Sequence, residues 1–141
     1  MEEARLHLTG GCQCGAVRYA VDAAPSYRTV CHCTICRRSS GAPMVAWFTV
    51  PVTGFRLLAG EPASFRSSAM ATRTFCGRCG TPITFRRDGL DEVDVTACSL
   101  DDPEAVPPED HTFVRSALGW ARGEDGLPRF PAERGSAGNP A

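Results

Sequence analysis

The chain contains no lysine: all fifteen basic residues are arginine, and sixteen acidic residues bring the formal net charge to -1 over 141 residues. That balance leaves no basic field for nucleic acid or an acidic membrane surface, and no aromatic-basic stripe stands in for one. Long hydrophobic runs are also missing. No stretch approaches the roughly 18 residues of a membrane span, and the opening "MEEARLHLTGG" lacks an apolar signal core. We therefore expect a cytoplasmic protein with neither a membrane nor a nucleic-acid partner. Absent too is any sustained 3.6-residue hydrophobic period, which excludes a helical bundle and leaves a mainly β class.

What is present is short and alternating. "RLHL" (5–8) precedes a Gly10-Gly11 turn signal, and "AVRYAV" (16–21) alternates again before "DAAPS" breaks it. "MVAWFTV" (44–50), bounded by Pro43 and Pro51, reads as a buried strand. "RTF" (73–75) and "TPITFRR" (81–87) flank "CGRCG" as two arms of a hairpin, and "DEVDVTACSL" (91–100) alternates through Val93 and Val95. One helix is expected, "TICRRSS" (34–40), ending at Gly41. The closing segment 132–141, "AERGSAGNPA", has the composition of a disordered tail.

Eight cysteines stand out against this background. In a reducing cytosol clustered cysteines read as metal-binding or catalytic, and their number here falls below the roughly 8–10% of disulfide scaffolds. Seven are grouped: Cys12 and Cys14; Cys31, Cys33 and Cys36; Cys76 and Cys79. Extended C-x-C pairs put both sulfurs on one face, and the glycines of "CGRCG" suit a knuckle whose two thiols converge. A thioredoxin-type role needs a strand-helix context that "CGRCG" lacks. Four thiolates make a closed zinc site, with iron a chemical alternative. Spacing permits two divisions. Cys12/Cys14 can join Cys76/Cys79 and leave Cys31/Cys33/Cys36, or join Cys31/Cys33 and leave Cys36 with Cys76/Cys79. The first keeps each local cluster intact.

The ordered motifs "GGCQCGAVRY", "CHCTICRRSSGAP", "FCGRCGTPITF", "SLDDPEAVPPEDHTFVRSALGW" and "LPRFP" resemble the GFA family. Its namesake is glutathione-dependent formaldehyde-activating enzyme, and centromere protein V is a relative. The resemblance implies a β-tent fold of small antiparallel sheets around two zinc ions; the chain's length and the lack of a long linker point to one domain, over 1–131. By motif position it implies a structural zinc on Cys12, Cys14, Cys76 and Cys79. A second, catalytic zinc would lie on Cys31, Cys33 and Cys36.

An open three-thiolate zinc can take water, a thiol or a carbonyl oxygen. The implied activity is that of a carbon-sulfur lyase joining a small thiol, glutathione or another, to formaldehyde or a related aldehyde. The rival is a non-enzymatic zinc module with two structural metals and a protein partner. Three thiolates on Zn²⁺ leave a net negative charge, so a moderating cation is expected; Arg37, Arg38 and the helix start at Thr34 are the candidates. His32, between two ligands, is placed on the opposite face by alternation and is read as a supporting residue. His111 and Trp120 match a family motif near the C-terminus, with His111 expected to be structural. Cys98, outside the clusters, is expected to be a buried free thiol.

Overall fold

The structure, a computed structural model, describes residues 6–123 and 125–136. Among the described residues ten strands and one α-helix follow in chain order: β1 (Leu8–Gly11), β2 (Arg18–Val21), β3 (Ser26–Cys31), α1 (Thr34–Ser40), β4 (Val45–Pro51), β5 (Phe55–Ala59), β6 (Ala63–Ser68), β7 (Ala71–Phe75), β8 (Pro82–Arg87), β9 (Glu92–Thr96) and β10 (Asp110–Thr112). They build a three-stranded sheet, β1-β2-β5, and a seven-stranded sheet, β10-β3-β4-β9-β8-β7-β6. The mainly β class with one short helix is as expected. Among the described residues the strand pairings are antiparallel except β10 with β3, which sets Thr112 opposite Cys31 and His111 opposite Val30.

The alternation of β4 explains how the large sheet serves two purposes. Phe48 and Val50 are fully buried in the main core, where they join Tyr19 and Val21 of β2, Ile83 of β8, and Val93 and Val95 of β9. Trp47 points the other way, into a second apolar cluster with Cys31 and Cys36. A strand buried on both faces reads as one apolar run, as "MVAWFTV" does. The core side holds the two sheets together. Each fully buried aliphatic or aromatic side chain there contributes about 1.5–3 kcal/mol. The other face is the floor of a cleft.

Gly10 and Gly11 do not form the expected turn; they lie inside β1, paired with Tyr19 and Arg18. A Cβ on Gly10 would run into the Tyr19 hydroxyl and approach the Ser99 carbonyl oxygen to 2.6 Å. Close backbone approach, not a turn, requires the glycine. Arg5 of the expected "RLHL" strand lies outside the described residues, and Leu8 is where pairing begins. Residues 137–141 of the expected tail also lie outside the described residues. Its start is a bend in which the Ser136 N–H donates to the Glu133 carbonyl at 2.9 Å.

Candidate metal centres and the adjoining cleft

The first centre is made of two knuckles. The Cys12 carbonyl accepts from the Gly15 N–H at 3.1 Å, Gly15 sits at φ 81°, and the Val17 N–H donates to the Cys12 sulfur at 3.2 Å. In the second knuckle Gly80, at φ 84°, donates to the Cys76 carbonyl at 2.8 Å. The Arg78 and Cys79 N–H groups both donate to the Cys76 sulfur at 3.4 Å. Left-handed glycines let each chain turn tightly enough to present its sulfurs together. The Gln13 N–H donates to the Thr81 hydroxyl at 3.1 Å, which ties the knuckles to each other.

All four sulfurs of Cys12, Cys14, Cys76 and Cys79 lie within 4.8 Å of one another. Cys12 and Cys14 are 3.6 Å apart, and Cys14 and Cys76 are 3.8 Å apart. Tetrahedral thiolates on zinc, each about 2.3 Å from the metal, stand about 3.8 Å apart. Donor type and spacing therefore fit a metal of the zinc kind. The Val17 N–H lowers the pKa of the Cys12 thiol. The Thr81 hydroxyl, followed by backbone N–H groups, holds that of Cys79 down at about 5. Both favour the thiolate a metal needs.

The second centre groups Cys31, Cys33 and Cys36, again within 4.8 Å of one another. Among the described residues no fourth His, Cys, Asp or Glu joins it. Cys31 ends β3, and Cys33 caps α1 by accepting the Cys36 N–H on its sulfur at 3.3 Å. Gly41, at φ 66°, closes the helix by donating to the Arg37 carbonyl. Cys31 and Cys36 are buried and Cys33 is half-buried. The division that keeps the clusters intact is the one the fold adopts.

Arg73, which the sequence did not single out, supplies the cation at this centre. From β7 its Nη2 donates to the Cys36 sulfur at 3.5 Å and its Nη1 to the Ser39 hydroxyl at 3.1 Å. Its guanidinium lies 4.9 Å from the Phe85 ring centre and 5.7 Å from that of Trp47. The neighbouring Cys31 thiol and then the Arg73 charge favour the Cys36 thiolate, holding its pKa at about 5; Cys36 and burial push Cys31 up. Arg37 is half-buried and Arg38 exposed, and no hydrogen bond joins either guanidinium to a sulfur among the described residues. Thr34 is exposed on the cleft rim.

His32 faces away from the sulfurs, as alternation requires. It is buried, and its Nε2 lies 3.0 Å from Nδ1 of the exposed His111. Its N–H donates to the Thr112 carbonyl, so the pair fastens β10 beside the cysteine loop. Trp120 is 69% exposed. Cys98 is exposed, contrary to expectation, and belongs to neither group. It lies in a 3-10 turn after β9 where Ala97 takes the buried position.

The cleft beside the three-cysteine centre measures about 880 Å³. Cys31, Cys33 and Cys36 line it, together with Trp47, Phe85, Arg73, Thr49 and Asp94. This is the size range of small-ligand pockets. Tyr27 (φ 47°) and Phe113 (φ 55°), the two non-glycine residues with positive φ among the described residues, both line it. Left-handed backbone costs a non-glycine residue about 1–2 kcal/mol, and such strain collects at functional sites.

Two sheets, a four-cysteine centre and a three-cysteine centre lining a cleft define a mainly β protein with two candidate metal sites. The chain belongs to the GFA family, glutathione-dependent formaldehyde-activating enzyme, whose match covers residues 7–116 and so includes both centres and the His32–His111 pair. The same fold occurs in a crystal structure of a Rhodobacter sphaeroides protein. The two superpose with a TM-score of 0.61 at 24% identity, over 74% of this chain and 99% of that one.

Proposed function

We propose that the protein is a zinc-dependent carbon-sulfur lyase of the cytoplasm that joins a small thiol to formaldehyde or a related aldehyde. The observation that carries the reading is the three-cysteine centre, without a fourth protein ligand among the described residues, in the lining of a ligand-sized cleft. Cys12, Cys14, Cys76 and Cys79 hold a structural zinc that pins the β1–β2 and β7–β8 connections together, in a domain spanning 1–131. Cys31, Cys33 and Cys36 hold the second zinc. When bound there, zinc supplies acidity to a thiol or polarises a carbonyl oxygen. The chain's own residues do the rest. Arg73 offsets the negative charge of three thiolates, Trp47 and Phe85 keep water from the sulfurs, and half-buried Cys33 faces the incoming reactant.

A second reading, a non-enzymatic zinc module that captures a protein partner, is favoured by the apolar rim of the same cleft. There Tyr27, Ile35, Met70 and Phe113 are 74%, 48%, 59% and 52% exposed. Exchange NMR separates the two. The zinc-loaded chain is mixed with formaldehyde and candidate thiols, glutathione among them, and adduct exchange is followed. Acceleration that disappears in a folded Cys33→Ser variant supports the enzyme. Absence of acceleration with every thiol, in protein carrying two zincs, sinks it.

A further inference from the structure

Addition of a thiol to an aldehyde moves a proton. As the carbon–sulfur bond forms, the carbonyl π pair withdraws onto oxygen, the S–H bond breaks and an O–H bond is made. Nothing is oxidised or reduced. A side chain in the cleft that takes the proton from sulfur and returns it to oxygen would speed this step. The cysteines are engaged as metal ligands, the guanidinium groups of Arg73, Arg87 and Arg115 offer no acceptor, and His32 is turned onto His111 on the far side. Two carboxyl groups remain in the lining, Glu92 and Asp94. Glu92 is exposed to bulk water.

We infer that Asp94 is the proton carrier of this site, an inference that rests on the thiol–aldehyde reading above. Its place follows from the sheet. In "EVDVT" the core takes Val93 and Val95, so Asp94 must share the cleft face. The register sets it in one cross-strand row with Thr49 on β4, Phe85 on β8 and, one strand further, Arg73 on β7, whose guanidinium reaches Cys36. Asp94 Oδ1 accepts the Thr49 hydroxyl at 2.5 Å. Its Oδ2 takes no hydrogen bond from the described residues and is not sealed from solvent, which leaves it open to the cleft. One oxygen is anchored and the other is free to exchange a proton. As carboxylate, Oδ2 accepts the thiol proton; as carboxylic acid, it delivers that proton to the oxygen of the adduct and returns to its starting state.

The charged and polar surroundings suit this task. Burial raises the pKa of the Asp94 carboxyl; the Thr49 bond and the Arg87 charge lower it, while Glu92 along the same strand and Cys36 from α1 raise it. Trp47 and Phe85 contribute apolar faces beside the row. A general acid-base works best when its pKa moves from the ordinary carboxylate range toward the operating pH.

The test uses the full-length, zinc-loaded chain. Exchange rates with formaldehyde and each accelerated thiol are measured against pH for wild type, Asp94→Asn and Thr49→Val, with zinc content read in parallel. Asp94→Asn is expected to slow exchange about 10²–10⁴-fold, the usual size of an acid-base contribution, and to erase one limb of the pH profile while keeping two zincs. Thr49→Val, which removes a bond favouring the carboxylate, is expected to move that limb to higher pH. The ¹³C titration of the Asp94 carboxyl in the folded wild type should share the midpoint of the limb. An Asp94→Asn variant with wild-type rate and pH profile overturns the inference, as does a carboxyl titration that does not coincide with the limb. Wild-type protein that accelerates nothing overturns the enzymatic reading and the inference with it. Unimpaired Asp94→Asn beside an active wild type overturns the inference alone.

Discussion

Replacing Arg73 with methionine should weaken the second metal centre and leave the first intact. The Arg73 Nη2 lies 3.5 Å from the Cys36 sulfur. Unit charges about 4 Å apart attract by about 4 kcal/mol at an effective dielectric constant near 20. Net of desolvation, a hydrogen bond to a charged group is worth about 1.5–3 kcal/mol, which is roughly 10- to 150-fold in zinc affinity. Methionine keeps the apolar stem against Trp47 and Phe85, so the packing changes little. The pH dependence has a definite sign. A thiol must lose its proton to bind metal, and Cys36 does so at about 5 partly because of Arg73. Without that charge its pKa rises, so the midpoint for acid release of the second zinc moves to higher pH. Chelator competition reads the two zincs separately, with the four-cysteine site as internal reference. A second-site affinity within twofold of wild type would refute the electrostatic argument. Equal weakening of both sites would mean that the substitution acted on the fold instead.

Tyr19 makes stability sensitive to alkali: it is fully buried, its hydroxyl lies 2.6 Å from that of Ser99, and burial pushes its pKa up to about 12 from about 10. The associated stability is intact below about pH 10 and lost as pH rises through about 12, at most about 3 kcal/mol; Tyr19→Phe should flatten the alkaline limb of a denaturant-stability profile, and an unchanged limb would contradict this. Gly10→Ala should destabilise by about 1–3 kcal/mol in chemical denaturation because its Cβ meets Tyr19 and the Ser99 carbonyl, and a loss below about 0.5 kcal/mol would contradict that fit. Phe113→Asn exchanges a strained left-handed aromatic for a residue that tolerates this conformation; thermal unfolding should rise or hold while thiol capture weakens, and a lowered melting temperature would contradict the strain.

The parts of the fold legible in the sequence are those where one residue type can do only one thing. "TICRRSS" is followed by a glycine that caps the helix, and the observed helix has the expected bounds, Thr34–Ser40. β4 was legible because both of its faces are buried. Strands β3, β5, β6 and β10 were not, because much of each is exposed and edge positions impose little alternation. The cysteine groups were visible as clusters, but their partnership is a property of folding: Cys12 and Cys76 are 64 positions apart in sequence. The same holds for Arg73 and Asp94, neither of which stands near the three cysteines in the chain. Alternation in "EVDVT" reveals that Asp94 opposes Val93 and Val95. Only the pairing of β9 with β4 and β8 shows that the opposed face is the cleft. Arg37 and Arg38 drew attention by proximity in sequence, yet the cation that reaches sulfur comes from a strand across the sheet.

The central claim is that the three-cysteine centre is a metal site that accepts a thiol as its fourth ligand. Zinc-edge X-ray absorption of the two-zinc protein tests it most directly. Four sulfurs on one zinc and three on the other average 3.5 per metal. Adding a thiol that the protein activates should raise the average to about 4 as a lighter scatterer leaves the shell. A sulfur count that starts at 4, or that stays fixed at 3.5 under saturating thiol, would contradict the account.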